Sequence, residues 1–424
     1  PMMNRTISLL CLAAFWFLAC SDKKMQITLT NKEDLALVDK PIRIAREELA
    51  NLPKEKAFPL LITGADTIPA QLDDLNGDGT WDELFFVASL PPQGTMTLQL
   101  SWSGDSIAFP ARTSIRFGKR DGRDLPVKPI TADTLLASEI HARLGYQPYQ
   151  TDGPSWENDK VGFRHYFDGR NSKDLFGKKV SYMSPEDVGI SATGGVEDNY
   201  HVMADWGRDV LAVGNSVGIG GINLMIGDSL SRIGTAAGDT VTNVEKSTCQ
   251  IVQEGPVRSI LDFNYFNWRP FDRTYQVHER VSIWPGMYAY QNTVNVSGLQ
   301  GDETLLVGLV NSNTRNPLKE IMVNDRFVVL LTHDQQTYNR EWWLGLALIL
   351  PRDVYLGNGE APHEGIFSNT FYGKLKVSEQ SPVTYYAVGC WELSDEGFRD
   401  PEYFEDYVVN LAQQLSAEVE VDIQ

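Results

Sequence analysis

The chain has 424 residues, with 37 Lys and Arg against 56 Asp and Glu and a formal net charge of −19. That balance argues against nucleic-acid backbones and anionic membrane surfaces as partners, since both are met by basic patches. It does not exclude an acidic sugar, because a local Arg and His cluster outweighs a distant field.

The first residues have the layout of an export signal. Arg5 supplies a short positive region, and Ile7 to Leu18 form an apolar run broken only by Ser8. The run is too short for a ~20-residue membrane-spanning helix and suits a signal-peptide core. It ends in Phe17-Leu18-Ala19-Cys20, a small residue before a cysteine, followed at once by polar Ser21-Asp22-Lys23-Lys24. This lipobox arrangement predicts a signal peptide over 1–19 and lipidation of Cys20, each buried methylene of the lipid contributing ~0.8 kcal/mol. The competing reading is a cleaved signal peptide that happens to contain a cysteine. The expected location is the cell envelope, lipid-anchored at the outer membrane and facing the periplasm, since the residues after Cys20 are not an acidic run. Removing 1–19 takes away one positive charge, Arg5, and makes the rest more acidic still. Cys249 and Cys390 remain, either as one disulfide or as buried free thiols; their spacing is not of metal-binding type.

Beyond the leader, short aromatic and β-branched segments alternate with Gly, Asn, Asp and Pro turns. Strands are expected over 25–29, 83–87, 95–101, 221–226, 259–265, 304–310, 327–331 and 342–350. Helices are expected over 132–144 and over 401–415, the second with proline in its first turn. The organisation expected is an anchor and smaller β unit over 20–125 and a main body over 126–424. The main body is long enough for two stacked antiparallel sheets ~10 Å apart.

Asp74-Leu75-Asn76-Gly77-Asp78-Gly79-Thr80-Trp81-Asp82-Glu83 has oxygen donors at alternate positions. Such spacing suits calcium, which takes six to eight oxygens. The twelfth position is Phe85 and a strand pattern follows, so this is not an EF-hand. The expectation is a short structural calcium loop held by Asp74, Asn76, Asp78, Thr80, Asp82 and Glu83; the alternative is a metal-free Asp/Gly turn. No organic cofactor is expected.

In Gly153–Asp168, period two from Val161 puts Val161, Phe163, His165 and Phe167 on one face and Gly162, Arg164 and Tyr166 on the other. The first set reads as core with one histidine, the second as a surface lining. Trp156 offers a flat apolar face for a sugar ring, while Glu157, Asn158 and Arg164 suit hydroxyls or carboxylates. The bland alternative packs Trp156 on a hairpin and pairs Glu157 with Lys160 or Arg164. A third block runs from Asn199 to Asp209 and includes His201, Asp205, Trp206 and Arg208, followed by glycine-rich 213–221. It lacks the Lys-Ser/Thr pair of a phosphate loop. His201 suits general acid–base work near neutral pH, or a structural hydrogen bond. In 275–283, Gln276, His278, Arg280 and Ser282 share one face, either solvent-facing or the floor of a carbohydrate cleft. No serine-hydrolase, zinc-protease or thiol-enzyme motif is present.

The Asp-rich loop, the Gly-Pro-x-Trp-Glu-Asn-Asp-x-x-Gly-Phe-Arg block at 153–164, the Asp-Trp-Gly block at 205–207 with Val213-Gly214-Asn215-Ser216, and Tyr385-Tyr386-Ala387-Val388-Gly389 resemble the Bacteroidetes lipoprotein family catalogued as domain of unknown function 4861. The resemblance runs from about Ile27 to the C-terminus. It implies a mostly β fold, a large antiparallel galactose-mutarotase-like supersandwich with few helices. It also implies a role in polysaccharide utilisation, and carries no catalytic residues with it.

The function expected is therefore that of a carbohydrate-active lipoprotein acting on oligosaccharides, uronic-acid-containing ones first, as a glycoside hydrolase or polysaccharide lyase. A non-catalytic glycan-binding lipoprotein and a monosaccharide mutarotase or epimerase are the alternatives. The candidate catalytic residues are Glu157, His201, Asp205 and Tyr166. The candidate substrate-binding residues are Trp156, Asn158, Arg164, Trp206, Arg208, His278 and Arg280. The partners expected are a polysaccharide fragment and, through the lipid alone, a membrane.

Overall fold

Two-residue periodicity places one face of many strands inside the computed structural model, which describes residues 24–424, while Ser155–Asn158, Val161–His165 and Lys173–Lys178 are buried on both faces. In the Tyr275–Ile283 strand, Tyr275, Val277, Glu279, Val281 and Ile283 are buried while Gln276, His278 and Arg280 face outward. The eight strands expected from the sequence all fall in observed strands, although the last begins only at Leu344. The expected leader and Cys20 lie outside the described residues.

The main body is a sandwich. One layer is a nine-stranded antiparallel sheet in the order 132–136, 244–254, 259–268, 275–283, 289–297, 383–391, 344–351, 327–334 and 319–322. The facing layer is two five-stranded sheets. One holds 207–209, 173–178, 161–165, 155–158 and 113–116; the other holds 229–230, 219–226, 303–310, 370–376 and 355–360. A parallel bridge between Lys173 and Gly218 joins the two. Gly218 has φ +80°, and a Cβ there would lie 1.7 Å from the Lys173 carbonyl oxygen, so only glycine permits this seam. Across the layers Lys173 Nζ meets Glu279 Oε2 at 2.7 Å, and Tyr265 and Asn292 complete the coordination of that carboxylate. Both charges are buried, and a buried pair is tolerable when its hydrogen bonds are satisfied.

A smaller unit has its own core around Ile27, Leu61, Leu84, Phe86 and Leu98. Its five-stranded sheet runs 419–423, 25–31, 95–103, 58–63 and 66–68, beside a three-stranded sheet of 37–45, 83–90 and 70–73. The division at 125 differs from the observed pairing in two ways. Thr113–Arg116 pairs with Ser155–Asn158 in the main body, and the C-terminal Val419–Ile423 strand returns to the small unit. Arg258 of the main body fastens the two by pairing with Asp73, at 3.1 Å, and with Glu83.

The helix expected over 132–144 is a correction. Ala132–Leu136 forms an edge strand on Val244–Glu254, and only His141–Leu144 is helical before Gly145 ends it at φ +70°. Pairing with a long neighbouring strand overrides the local helical signal. The second helix, Pro401–Ser416, is present, capped by Asp400 and buried through Phe404, Val408, Leu411 and Ala412. Gly345 leaves room for Phe404, whose ring carbon would otherwise sit 2.4 Å from a Cβ. Cys249 and Cys390 are buried free thiols. No helix of the described residues is long and apolar enough to cross a membrane.

Candidate functional site

The Val161–His165 strand sends Phe163 and His165 into the sandwich, and Arg164 to the opposite side. There Arg164 becomes the centre of a charged network. Its Nη2 donates to Asp174 Oδ2 at 2.6 Å and to Asp209 Oδ2 at 2.7 Å, and its Nη1 lies 3.5 Å from Asp152 Oδ2. The guanidinium also lies over the rings of Tyr166 and Tyr200, 4.6 and 4.9 Å from their centroids. Burial alone would lower its pKa, but Tyr166, Asp174 and Asp209 outweigh burial and hold it well above the ordinary value.

Above this network opens a pocket of about 520 Å³. The Gly207–Asp209 strand supplies Arg208 and Asp209, and the short turn Asn199–His201 supplies His201. Gly207 makes the approach possible, because at φ +139° a Cβ would lie 1.8 Å from the Gly177 carbonyl oxygen. His201 Nε2 stands 3.3 Å from Asp209 Oδ2, with 53% of its side chain exposed. The hydrogen bond to Asp209 raises the His201 pKa, and partial burial opposes it less strongly. Arg208 donates from Nε to the Asp209 carbonyl at 3.0 Å and lies 5.5 Å from the Trp342 ring centroid. It forms no ion pair among the described residues, which leaves its terminal nitrogens for a ligand.

Arg170 lines the same pocket, held by Asp168 at 2.6 Å and lying 3.7 Å from the Tyr166 ring centroid. Asp152 reaches the pocket from a strained segment in which Thr151 and Asp152 take φ +51° and +62°. Burial raises the Asp152 pKa. Ser312, Tyr338, Asn339 and Asn369 close the outer wall, and Tyr338 is largely exposed.

Of the expected site residues, the structure places Arg164, Tyr166, His201 and Arg208 in one pocket. Tyr166 differs from a proton carrier: its hydroxyl donates to Asp174 at 2.5 Å and accepts from Arg164, and burial holds its pKa well above the ordinary value. The other expected residues lie elsewhere. Trp156 is interior, packed on Phe163, Phe263 and Tyr290, so it presents no face to a sugar. Trp206 is buried against Phe176. Asn158 is buried and donates to the carbonyls of Trp284 and Met287. Glu157 is buried, 2.6 Å from Lys178 Nζ, with the Ser184 hydroxyl at 2.5 Å. Its bland partners Lys160 and Arg164 are likewise not the ones it takes. Asp205 is exposed in the turn before Gly207 and does not line the pocket.

His278 and Arg280 lie on the nine-stranded sheet, both facing Asp262 at 3.3 and 2.7 Å, and Arg280 also donates to the Leu75 carbonyl. Arg280 thereby supports the Asp-rich loop, and neither residue lines the His201 pocket. In that loop the Asp74 carboxylate accepts from Gly77 and Gly79 amides at 2.7 and 2.8 Å, and Asp82 accepts from Leu75 at 2.7 Å. The donors are hard oxygens of the kind calcium takes. Glu83 is committed to Arg258 and is not free to join them. His141, Asp152 and Asp168 also bring ligand atoms within 4.8 Å of one another, but Arg170 contacts both acids, so this cluster is an ion-pair network.

Arg170, Asp152, Tyr338, Asn339 and Asn369 are the residues that sequence reasoning misses. Asp209 closes the block containing His201, yet nothing local distinguishes it from Asp205.

The family model for the domain of unknown function DUF4861 matches residues 29–421, nearly all of the described chain. The chain belongs to the DUF4861 family. Its relative "Uncharacterized protein P7" of Formosa agariphila is 24% identical over 434 residues, covering 97% of both chains. Two solved structures from Enterococcus faecalis are similar at lower levels. One is described as a protein in glycosyl hydrolase family 38, with TM-score 0.48 and 10% identity over 95% of this chain and 48% of its own. The other, an alpha-mannosidase, has TM-score 0.45 and 12% identity over 95% and 46%. The DUF4861 chain spans about half the length of each of these two structures.

Proposed function

We propose that this DUF4861 protein is a carbohydrate-active envelope lipoprotein that binds a uronic-acid-containing oligosaccharide in the His201 pocket and cleaves it by β-elimination. The observation that carries the reading is the His201–Asp209 contact beside an Arg208 guanidinium with no acidic partner among the described residues, both lining one cavity. Arg208 takes the sugar carboxylate and stabilises the negative charge that develops when the adjacent carbon loses its proton. His201 accepts that proton, and Asp209 stabilises the imidazolium so formed. The electron pair of the broken carbon–hydrogen bond becomes a carbon–carbon double bond, the glycosidic carbon–oxygen bond breaks, and His201 returns its proton to the departing oxygen. Tyr338 and the neighbouring amides offer a ring face and hydroxyl partners.

Hydrolysis is less well supported by the same geometry. It uses two carboxylates flanking the bond, and the two that line this pocket, Asp152 and Asp209, are both claimed by Arg164. The proposal includes a lipid on Cys20, placing the domain at the outer membrane, facing the periplasm. It includes a structural calcium held by Asp74, Asn76, Asp78, Thr80 and Asp82.

The test is incubation of the purified protein with uronic-acid-containing and neutral oligosaccharides, following ultraviolet absorbance of the conjugated double bond and product masses. Absorbance that His201→Ala abolishes supports elimination. Products that gain water without absorbance would replace it with hydrolysis, and binding without products would leave a glycan-binding lipoprotein.

A further inference from the structure

A second cavity, of about 790 Å³, lies between the small unit and the main body and takes no part in the chemistry above. Its floor carries Trp81 and Trp102, half-buried, with ring centroids 6.0 Å apart and planes inclined by 35°. The Arg46 guanidinium lies 5.1 Å from the Trp81 ring centroid and covers part of that ring. The main body contributes the opposite wall through Gln253–Pro256, and the Asp-rich loop a third through Asp74, Gly79 and Thr80.

The charges around this cleft balance. Arg46, Lys54 and Lys56 stand with Glu55, Asp74 and Glu254, whereas the His201 pocket sets three arginines and a histidine against two aspartates. Paired indoles in a roomy cleft, rimmed by donors and acceptors of both signs, match a ligand with apolar C–H faces and hydroxyl edges. They do not select an anion.

We propose that this cleft is a separate binding site for a neutral glycan segment, with Trp81 and Trp102 as the stacking platform. The site holds uncharged sugar residues against the small unit and does not depend on the elimination chemistry. Because the Asp-rich loop forms one wall, whatever orders that loop also shapes the cleft.

Affinity electrophoresis of the full chain through gels containing galactan, xylan, glucomannan or polygalacturonate tests the proposal. The variants are Trp102→Ala, Ala57→Arg and Arg208→Ala. Ala57 lines the cleft wall, so the added arginine fills space without removing a core side chain. The expected result is that at least one neutral polymer retards the wild type and Arg208→Ala equally. Trp102→Ala and Ala57→Arg lose that retardation, the latter with an unchanged melting temperature. The proposal is overturned if no neutral polymer retards the wild type, or if Ala57→Arg migrates like the wild type. Retardation lost in Arg208→Ala alone also overturns it, by returning the binding to the His201 pocket.

Discussion

Asp209 Oδ2 accepts from Arg164 Nη2 at 2.7 Å and faces His201 Nε2 at 3.3 Å, so one buried carboxylate oxygen serves a fixed cation and a titratable one. The fixed cation holds the carboxylate in place, and the carboxylate sets the basicity of the histidine.

Asp209→Asn keeps the shape and removes the charge. Because Asp209 raises the His201 pKa, the acid limb of kcat/KM is expected to move to lower pH in the variant. The rate at the optimum is expected to fall by on the order of 10²–10⁴-fold. The linkage has a definite sign: a raised pKa in the folded protein contributes stability below the unfolded value of about 6.5, which is lost as pH rises through the folded value. Melting temperature against pH should therefore lose that component in Asp209→Asn. An unchanged acid limb contradicts the assignment.

Arg208→Ala is expected to raise KM for an acidic oligosaccharide by about 10- to 100-fold, the range of one charge-assisted contact. The melting temperature should stay constant, since Arg208 makes one main-chain hydrogen bond and no ion pair among the described residues. Steady-state kinetics beside thermal unfolding checks both parts.

Glu157→Gln separates structure from chemistry. The carboxylate is buried against Lys178, and burial lowers the Lys178 pKa. Breaking a buried pair by neutralising one member costs about 3–5 kcal/mol. Denaturant unfolding should show that loss, while kcat/KM per folded molecule stays at the wild-type value. A stable but inactive variant would return Glu157 to the chemistry.

Calcium occupancy of the Asp-rich loop is expected to stabilise the fold by about 2.7 kcal/mol at a hundredfold excess over Kd. A chelator should reverse the gain, and Asp74→Ala should abolish it, as read by thermal unfolding. An identical melting temperature with and without calcium rules the site out.

Much of the fold is legible along the chain because a half-buried strand writes its face into alternate residues, as Tyr275–Ile283 does. The helix at Pro401 is legible from its cap and proline. Ala132–Leu136 is not, because its conformation comes from an edge more than 100 residues away in sequence. The site divides in the same way. Arg164, Tyr166, His201 and Arg208 lie in two local blocks rich in chemistry-bearing residues. Tyr338, Asn339 and Asn369 reach the pocket only through the packing of distant strands. Trp156 and Glu157 illustrate the converse: a dense local motif whose residues turn inward to pack and pair.

The most direct measurement compares wild type and His201→Ala on uronic-acid-containing oligosaccharides, with product absorbance and binding recorded on the same samples. The expected result is a new ultraviolet absorbance from the wild type, lost in His201→Ala while binding persists. Equal product formation by the two proteins would contradict His201 as the proton carrier, and with it the assignment of this pocket as the reaction centre.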